Sequence, residues 1–252
     1  MNELDKSGDK EETFISHLVE LRDRLVKASI VLVVVTLCLA PWASDIYDIL
    51  AQPMMASLPE GSKMIATGVI TPFLTPLKVT LLVAFVIALP WILYQFWAFV
   101  APGLYTHEKK LVLPLVVSSS LLFLVGIAFC YFFVFGTVFH FIHQLAPDSI
   151  SVAPDIDAYF SFVMTMFIAF GLTFEVPIVV IVLVRMGIVT VEKLKEIRPY
   201  VIVGAFIVAA VVTPPDVISQ LLLAIPLTLL YQVGIWVAPA FARATRAPEE
   251  AA

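Results

Sequence analysis

The segment YFSFVMTMFIAFGLTFEVPIVVIVLV, Tyr159–Val184, decides how this chain folds. Glu175 is its only acidic or basic residue, and polar residues flank it on both sides. A helix rises about 1.5 Å per residue, so this one can cross a hydrocarbon core of about 30 Å with Glu175 near the middle. A carboxylate at that depth is costly unless it is protonated, paired or hydrated. The segment therefore predicts a transmembrane helix with a functional carboxyl group near its centre.

Two interpretations of Glu175 follow from the residues alone. In the first, the neutral carboxyl group lies toward a hollow of the helix bundle and donates a hydrogen bond to a partner helix or to water. In the second, it locks helices of its own chain together through Ser, Thr or backbone carbonyl groups. Both require the neutral form, which burial in an apolar medium favours.

The composition predicts an all-α polytopic membrane protein. Hydrophobic residues make up 61% of the chain and charged residues 14%, and the mean hydropathy is +1.00. A soluble domain of 252 residues needs far more charge on its surface. Cys38 and Cys130 lie in apolar runs and indicate neither a disulfide nor a zinc site. No cleavable signal peptide is expected, because the first residues are polar and acidic.

Six apolar runs predict six spans within one domain, residues 13–240, between a disordered cytoplasmic tail (1–12) and a second cytoplasmic tail (241–252). Thr13 is predicted to cap an amphipathic surface helix that leads into the first span, and Ser44–Thr71 is predicted to be a loop. Pro114 and Gly136 are expected to allow kinks in the third span. The fifth and sixth spans are short, so we expect local thinning of the bilayer. The predicted spans are 25–43, 73–100, 111–142, 158–184, 200–213 and 218–236.

The basic residues predict the orientation. An even number of spans places both termini on one side, and Lys and Arg concentrate in cytoplasmic loops. We therefore predict cytoplasmic termini and a cytoplasmic-membrane location; only Lys63 and Lys78 then lie on the outer side. The cytoplasmic segments hold 13 of the 15 basic residues: Lys6, Lys10, Arg22, Arg24, Lys27, Lys109, Lys110, Arg185, Lys193, Lys195, Arg198, Arg243 and Arg246.

Glu20 and Glu108 are the acids nearest the predicted cytoplasmic boundary of the membrane. Two carboxylates brought together there suit a ligand with paired guanidinium groups, because Arg binds carboxylates in a bidentate manner. The alternative is that Glu20 pairs with Arg24 and Glu108 with its neighbouring lysines. Arg22 projects from the apolar side of its helix and needs a partner or a route to the lipid headgroups.

Signatures of enzymes are absent from the sequence. It contains no HExxH, GxSxG, P-loop or dinucleotide-binding pattern. The four histidines show no metal-ligand spacing, so neither a metal nor a cofactor is expected. There is no internal repeat, direct or inverted, of the kind found in many transporters. The residues alone also allow a second function, a proton-coupled transporter of small solutes that uses Glu175 as its proton site.

The chain resembles the TatC family, the multispanning core subunit of the twin-arginine (Sec-independent) protein translocase, from about Ser16 to Trp236. Six segments carry the resemblance, in the family's order and spacing. They are SHLVELRDRL, MIATGVITPF, WAFVAPGLYTHEKK, SFVMTMFIAFGLTFEVP, RPYVIVGAFIVAAVVTPPDVISQ and LLAIP.

The resemblance implies a curved, concave bundle of six helices and a non-enzymatic receptor for the twin-arginine signal peptides of folded precursors. It implies single-span partner subunits of the TatA and TatB type, a multi-copy complex, contact with membrane lipid and export driven by the proton-motive force. It gives no reason to expect nucleic-acid binding.

The resemblance also assigns roles to residues. It implies that Glu175 faces the concavity and that Thr213 and Gln220 lie where the partner subunits dock. Gly68 and the pair Lys109-Lys110 depart from residues that are frequent in the family. The residues implied to bind the signal peptide are Glu20, Glu108, His17, Arg22, Arg24, Phe99 and Lys109. Motif positions predicted on the outer face are Pro53, Asp155, Pro214 and Asp216.

Overall fold

The computed structural model describes residues 3–56, 63–100, 112–145, 153–214 and 216–242, and these residues are almost entirely helical. A 3-10 turn, Ala40–Trp42, joins the first two helices, and a π turn, Cys130–Val134, joins the fourth and fifth. The nine α-helices of the described residues are α1 (Glu3–Leu39), α2 (Ala43–Met55), α3 (Thr71–Val100), α4 (Val112–Phe129), α5 (Phe135–Leu145), α6 (Ile156–Arg185), α7 (Val191–Glu196), α8 (Arg198–Val212) and α9 (Val217–Ala242).

Five helical stretches of the described residues are long and apolar enough to cross a membrane. They are Ile15–Met55, Thr71–Val100, Val112–Phe141, Ile156–Arg185 and Val217–Phe241. Helix α8 is apolar but has only 15 residues, about 22 Å. Backbone groups in lipid must be paired within the segment, and helices satisfy this requirement. The all-helical prediction is confirmed.

Helix α6 is the centre of the bundle. It packs most extensively against α9 and α4 and also contacts α3. Half of the residues in its most apolar 18-residue segment are buried. Helix α1, in contrast, packs mainly on α3, and no residue in the most apolar 18-residue segment of the first span is buried. Gly187, at φ +68°, follows the end of α6 and adopts the left-handed conformation that favours glycine. The carboxyl group of the predicted central span is therefore carried by the most enclosed helix.

The amino-terminal third differs from the sequence-based expectation. The backbone is helical from Glu3, where a disordered tail to residue 12 was expected, and the helix runs through Thr13, the predicted cap. In this segment Glu, Leu and Lys favour a helix, whereas Gly8 and the aspartates oppose it, so the helix continues outward from its apolar part. Helix α2 (Ala43–Met55) replaces much of the predicted loop. Ile46, Tyr47 and Leu50, spaced as on one helix face, pack against the core and stabilise α2.

Two further differences concern the later helices. A π turn at Cys130–Val134, which the sequence did not predict, interrupts the third span. The sixth helix is not short: α9 has 26 residues and continues past Trp236 to Ala242. The apolar sequence continues beyond Trp236, and Ala238 is buried against the core, so tertiary packing extends the helix. Of the six predicted spans, only the fifth, α8, is shorter than the hydrocarbon core.

A close approach of α4 and α6 yields a stability prediction. A Cβ atom added at Gly126 would lie 2.6 Å from the carbonyl oxygen of Phe170 and 3.0 Å from the Phe174 ring. Gly126→Ala should therefore push the helices apart and destabilise the protein by about 1–3 kcal/mol, measured by unfolding in detergent. Gly136→Ala is the matched control, because its added Cβ would meet nothing within 4 Å. Equal stability of the two variants would contradict the prediction.

Candidate functional site

Four residues of the predicted signal-peptide site lie together where α1 passes the end of α3. Arg24 donates from Nε and Nη2 to Oε1 of Glu20, at 2.9 and 2.6 Å. The His17 ring stacks on Phe99 with the ring centroids 4.3 Å apart and an interplanar angle of 18°. Nδ1 of His17 is 3.9 Å from the second carboxylate oxygen of Glu20. We call these four residues the Glu20 site.

Gln95 connects the Glu20 site to the interior of the bundle. Nη1 of Arg24 donates to Oε1 of Gln95 at 3.4 Å, and Gln95 is buried. Gln95 and Phe99 are four residues apart and therefore share the face of α3 that meets α1. Sequence reasoning missed Gln95, although an amide within an apolar run was a signal for it.

The remaining predicted members of this site lie elsewhere or are not described. Arg22 turns away and donates to the carboxylate of Asp23 at 3.0 and 2.8 Å, with 70% of its side chain exposed. Glu108 and Lys109 lie outside the described residues, so their approach to Glu20 remains a prediction. The ion pair between Glu20 and Arg24, which the sequence offered as the alternative to a ligand-binding role, is present.

Glu175 is covered by its own chain. Glu175 is 8% exposed, and the register of α4 on α6, set by Gly126 against Phe170 and Gly171 against Phe123, places Ser119 beside it. The Trp97 indole N–H of α3 donates to Oγ of Ser119 at 3.0 Å. Oε1 of Glu175 has no hydrogen-bond partner among the described residues. The carboxyl group thus lies beside a serine, as in the helix-lock interpretation, and Oε1 is unpaired within the described part of the chain.

The opposite end of the bundle is held together by Asp155, the N-cap of α6. Its Oδ1 accepts from the backbone N–H groups of Asp157 and Ala158, both at 3.0 Å. Its Oδ2 accepts from the N–H and hydroxyl of Thr67, at 3.0 and 2.7 Å. Lys78 at the start of α3 donates to Asp157 at 2.7 Å. Asp155 therefore attaches the segment before α3 to α6.

The other motif positions form local structure. Pro53 lies inside α2, near its end. Thr213 is buried, and its hydroxyl donates to the carbonyl of Ala209 at 2.9 Å. The Gln220 amide donates to the carbonyl of Phe206 at 3.3 Å and so connects α9 to α8. In the connecting turn, the carbonyl of Pro214 accepts from the Asp216 N–H at 2.6 Å, and a carboxylate oxygen of Asp216 accepts from the Ser219 N–H at 2.6 Å.

The fold and these sites define a class: a multi-pass helical membrane protein with a charged cluster at one end and a buried carboxyl group in its central helix. The family profile "Sec-independent protein translocase protein (TatC)" matches residues 16–226. The chain belongs to the TatC family. It is accordingly a protein-translocase subunit of the bacterial inner membrane and not an enzyme.

Individual relatives agree with this assignment. Sec-independent protein translocase protein TatC of Escherichia coli (strain K12) is 50% identical over 91% of this chain and 89% of its own length. The TatC protein of Aquifex aeolicus (strain VF5) is 40% identical over 87% of this chain and 92% of its own length. A crystal structure described as the twin arginine translocase receptor TatC superposes with a TM-score of 0.79 at 40% identity. That alignment covers 90% of this chain and all of the other.

The Asp155 cap predicts a pH dependence of stability. The Thr67 hydroxyl, followed by the N–H groups of Ala158, Thr67 and Asp157, lowers the pKa of this carboxyl group. A carboxyl group with a lowered folded pKa stabilises the fold fully above the unfolded pKa, about 4, and loses that contribution as the pH falls through the folded pKa. We expect Asp155→Asn to lower the melting temperature at pH 7, with the difference from the unmodified protein shrinking below about pH 4. A difference in melting temperature between the two proteins that is the same at every pH would contradict this prediction.

Proposed function

We propose that this chain recognises the paired arginines of twin-arginine signal peptides at the Glu20 site, on the cytoplasmic face of the membrane. A solved relative at 40% identity is described as a twin arginine translocase receptor. Glu108 and Lys109 complete the binding surface. We assign Arg22 to its edge, since its side chain pairs with Asp23 and lies outside the Glu20 site. The bound peptide belongs to a precursor that is exported in the folded state.

The observation that carries this proposal is the arrangement of Glu20. Its Oε1 is shared by two nitrogen atoms of Arg24, whereas Oε2 has, among the described residues, only His17, at 3.9 Å. The side chains of Glu20 and Arg24 are 35% and 23% exposed, and partly exposed ion pairs contribute only about 0–1 kcal/mol. An arginine of a peptide can therefore take a bidentate position on Glu20 without breaking a costly internal contact. The stacked His17 and Phe99 rings support the apolar residues of such a peptide.

We further propose one domain, residues 13–240, with six spans and both termini in the cytoplasm. The Glu20 site, on α1 and the end of α3, then faces the cytoplasm, and the Asp155 cap faces outward. Export uses the proton-motive force, and Glu175, a protonatable group in the middle of a span, supports such coupling. The proton-coupled solute transporter loses its support, because the family is a protein translocase.

Partner subunits of the TatA and TatB type, each with a single span, dock along α8 and α9 in a multi-copy complex. Two observations support this location. Helix α8 is shorter than the hydrocarbon core, so a second helix beside it relieves the mismatch. Its outward residues are strongly exposed, with Val211 at 81%. Thr213 is occupied internally, whereas Gln220 makes one long side-chain bond within the described residues and can accept a partner's donor.

Charge reversal tests the receptor proposal. Glu20→Lys or Glu108→Lys should each weaken binding of a twin-arginine peptide by at least about tenfold, since a charge-assisted hydrogen bond contributes about 1.5–3 kcal/mol. Binding is measured on the purified full chain in lipid nanodiscs. Glu192→Lys, the same charge change on the exposed helix α7, is the control. Full affinity in the Glu20→Lys, Glu108→Lys double variant would refute the proposal.

Site-specific crosslinking tests the docking proposal. In a chain whose native Cys38 and Cys130 are replaced, a cysteine at Val211 or Leu221 should crosslink to a single-span subunit. A cysteine at Phe132 is the control, because Phe132 is equally exposed, at 80%, but lies on the π turn. Crosslinks at Phe132 alone, or none from α8 and α9, would contradict this location.

A further inference from the structure

The hydrogen bond between Trp97 and Ser119 lies entirely inside the bundle. Trp97 is 4% exposed and Ser119 is completely buried. The indole N–H is only a donor, so it uses a lone pair of the Ser119 oxygen and leaves the serine proton for another acceptor. The contacts between α4 and α6, Gly126 with Phe170 and Phe123 with Gly171, run in opposite directions along the two helices. Ser119 and Glu175 lie one turn beyond Phe123 and Gly171, so the register places them side by side. Three helices, α3, α4 and α6, thereby contribute one polar group each to a single chain of contacts.

The neighbouring serines show that this contact is specific to Ser119. The Ser118 hydroxyl donates to carbonyl groups of its own helix, Pro114 at 2.9 Å and Leu115 at 3.0 Å. The Ser120 hydroxyl is buried and has no hydrogen-bond partner among the described residues. Ser119 differs from both because its oxygen accepts from a different helix. Its position is thus set by α3 rather than by α4 alone.

The same turns of α3 also contact the Glu20 site. Gln95 and Phe99 face α1, where they meet Arg24 and His17. Trp97 is two residues from each of them, about 200° around the helix, and faces α4. These turns follow Pro90, which removes one backbone hydrogen bond from the interior of α3. The end of α3 is therefore in contact with the Glu20 site on one side and with the Ser119 hydroxyl on the other.

We propose that Trp97 and Ser119 are positioning residues that orient the Glu175 carboxyl group and connect it, through the end of α3, to the Glu20 site. Ser119 holds the carboxyl group so that Oε1, unpaired among the described residues, stays available to a donor from water or a partner helix. A peptide bound at Glu20 shifts Gln95 and Phe99, and Trp97 moves with them because they share a helix. This inference rests on the proposed receptor function.

The first test concerns orientation. Infrared difference spectra of the full chain in nanodiscs identify the carboxyl band of Glu175 as the band that Glu175→Gln removes. Ser119→Ala and Trp97→Phe should each shift this band, because both change the hydrogen bonding of the carboxyl group. Ser118→Ala is the control and should leave the band in place. A band that is unchanged in Ser119→Ala would overturn the proposal.

Export and peptide binding give the second readout. Ser119→Ala should slow export of a folded twin-arginine precursor by about three- to tenfold, which corresponds to the loss of one hydrogen bond. The affinity for the peptide should stay unchanged. In a Glu175→Ala background, Ser119→Ala should have no further effect, because the two residues act as a unit. Fully additive effects would mean that Ser119 acts independently of Glu175 and would overturn the proposal. Melting temperatures show whether each variant is folded.

The third test addresses the connection through α3. Adding a twin-arginine peptide should shift the Glu175 band in the unmodified chain but not in Trp97→Phe, even though Trp97→Phe binds the peptide. If the unmodified chain binds no peptide, the receptor function itself is wrong. If it binds the peptide and the band stays in place, or if Trp97→Phe responds as the unmodified chain does, only the connection is wrong.

Discussion

Burial of one carboxyl group in the middle of a hydrocarbon layer is the constraint on which this bundle depends. Glu175 can be accommodated only where other helices cover α6, and α6 is the helix that packs against α9, α4 and α3. Close packing requires small residues at the contact, and Gly126 and Gly171 supply them between α4 and α6. The register of the same approach places Ser119 beside Glu175. The tight packing of α6 against its neighbours is therefore what allows an acid to lie at this depth.

The two ends of the bundle use charge differently. Asp155 accepts four hydrogen bonds from Thr67, Asp157 and Ala158, and all of them are internal to the fold. Glu20 has one oxygen paired with Arg24, and its second oxygen has only a distant imidazole within the part of the chain that the structure describes. A carboxylate whose hydrogen bonds are complete holds the fold together. One with remaining capacity, at a partly exposed surface, is suited to an exchangeable ligand.

The features that could be predicted from the sequence depend on local spacing or on length. The apolar runs gave the long helices because lipid requires paired backbone groups, and the i,i+4 spacing of Glu20 and Arg24 anticipated their ion pair. Helix α2 was missed because its charges and Pro53 resemble a loop, while the contacts that stabilise it come from distant helices. Gln95 and Ser119 were missed for a related reason. Helices α3 and α4 are apolar on every side, so periodicity does not reveal which polar residues face each other.

The shortness of α8 has a consequence for the polar residues around it. Helix α8 is about 22 Å long and its neighbour α9 is about 39 Å long. Helix α8 therefore ends at a membrane depth that α9 passes. The turn between them must then satisfy its polar groups internally or meet thinned lipid. Thr213 and Asp216 do the former, with hydrogen bonds to the carbonyl of Ala209 and the N–H of Ser219. Gln220 is the exception, since its side chain makes a single 3.3 Å bond among the described residues and keeps capacity for another group. The mismatch and the remaining capacity of Gln220 therefore favour contact with a second membrane helix on the same edge of the bundle.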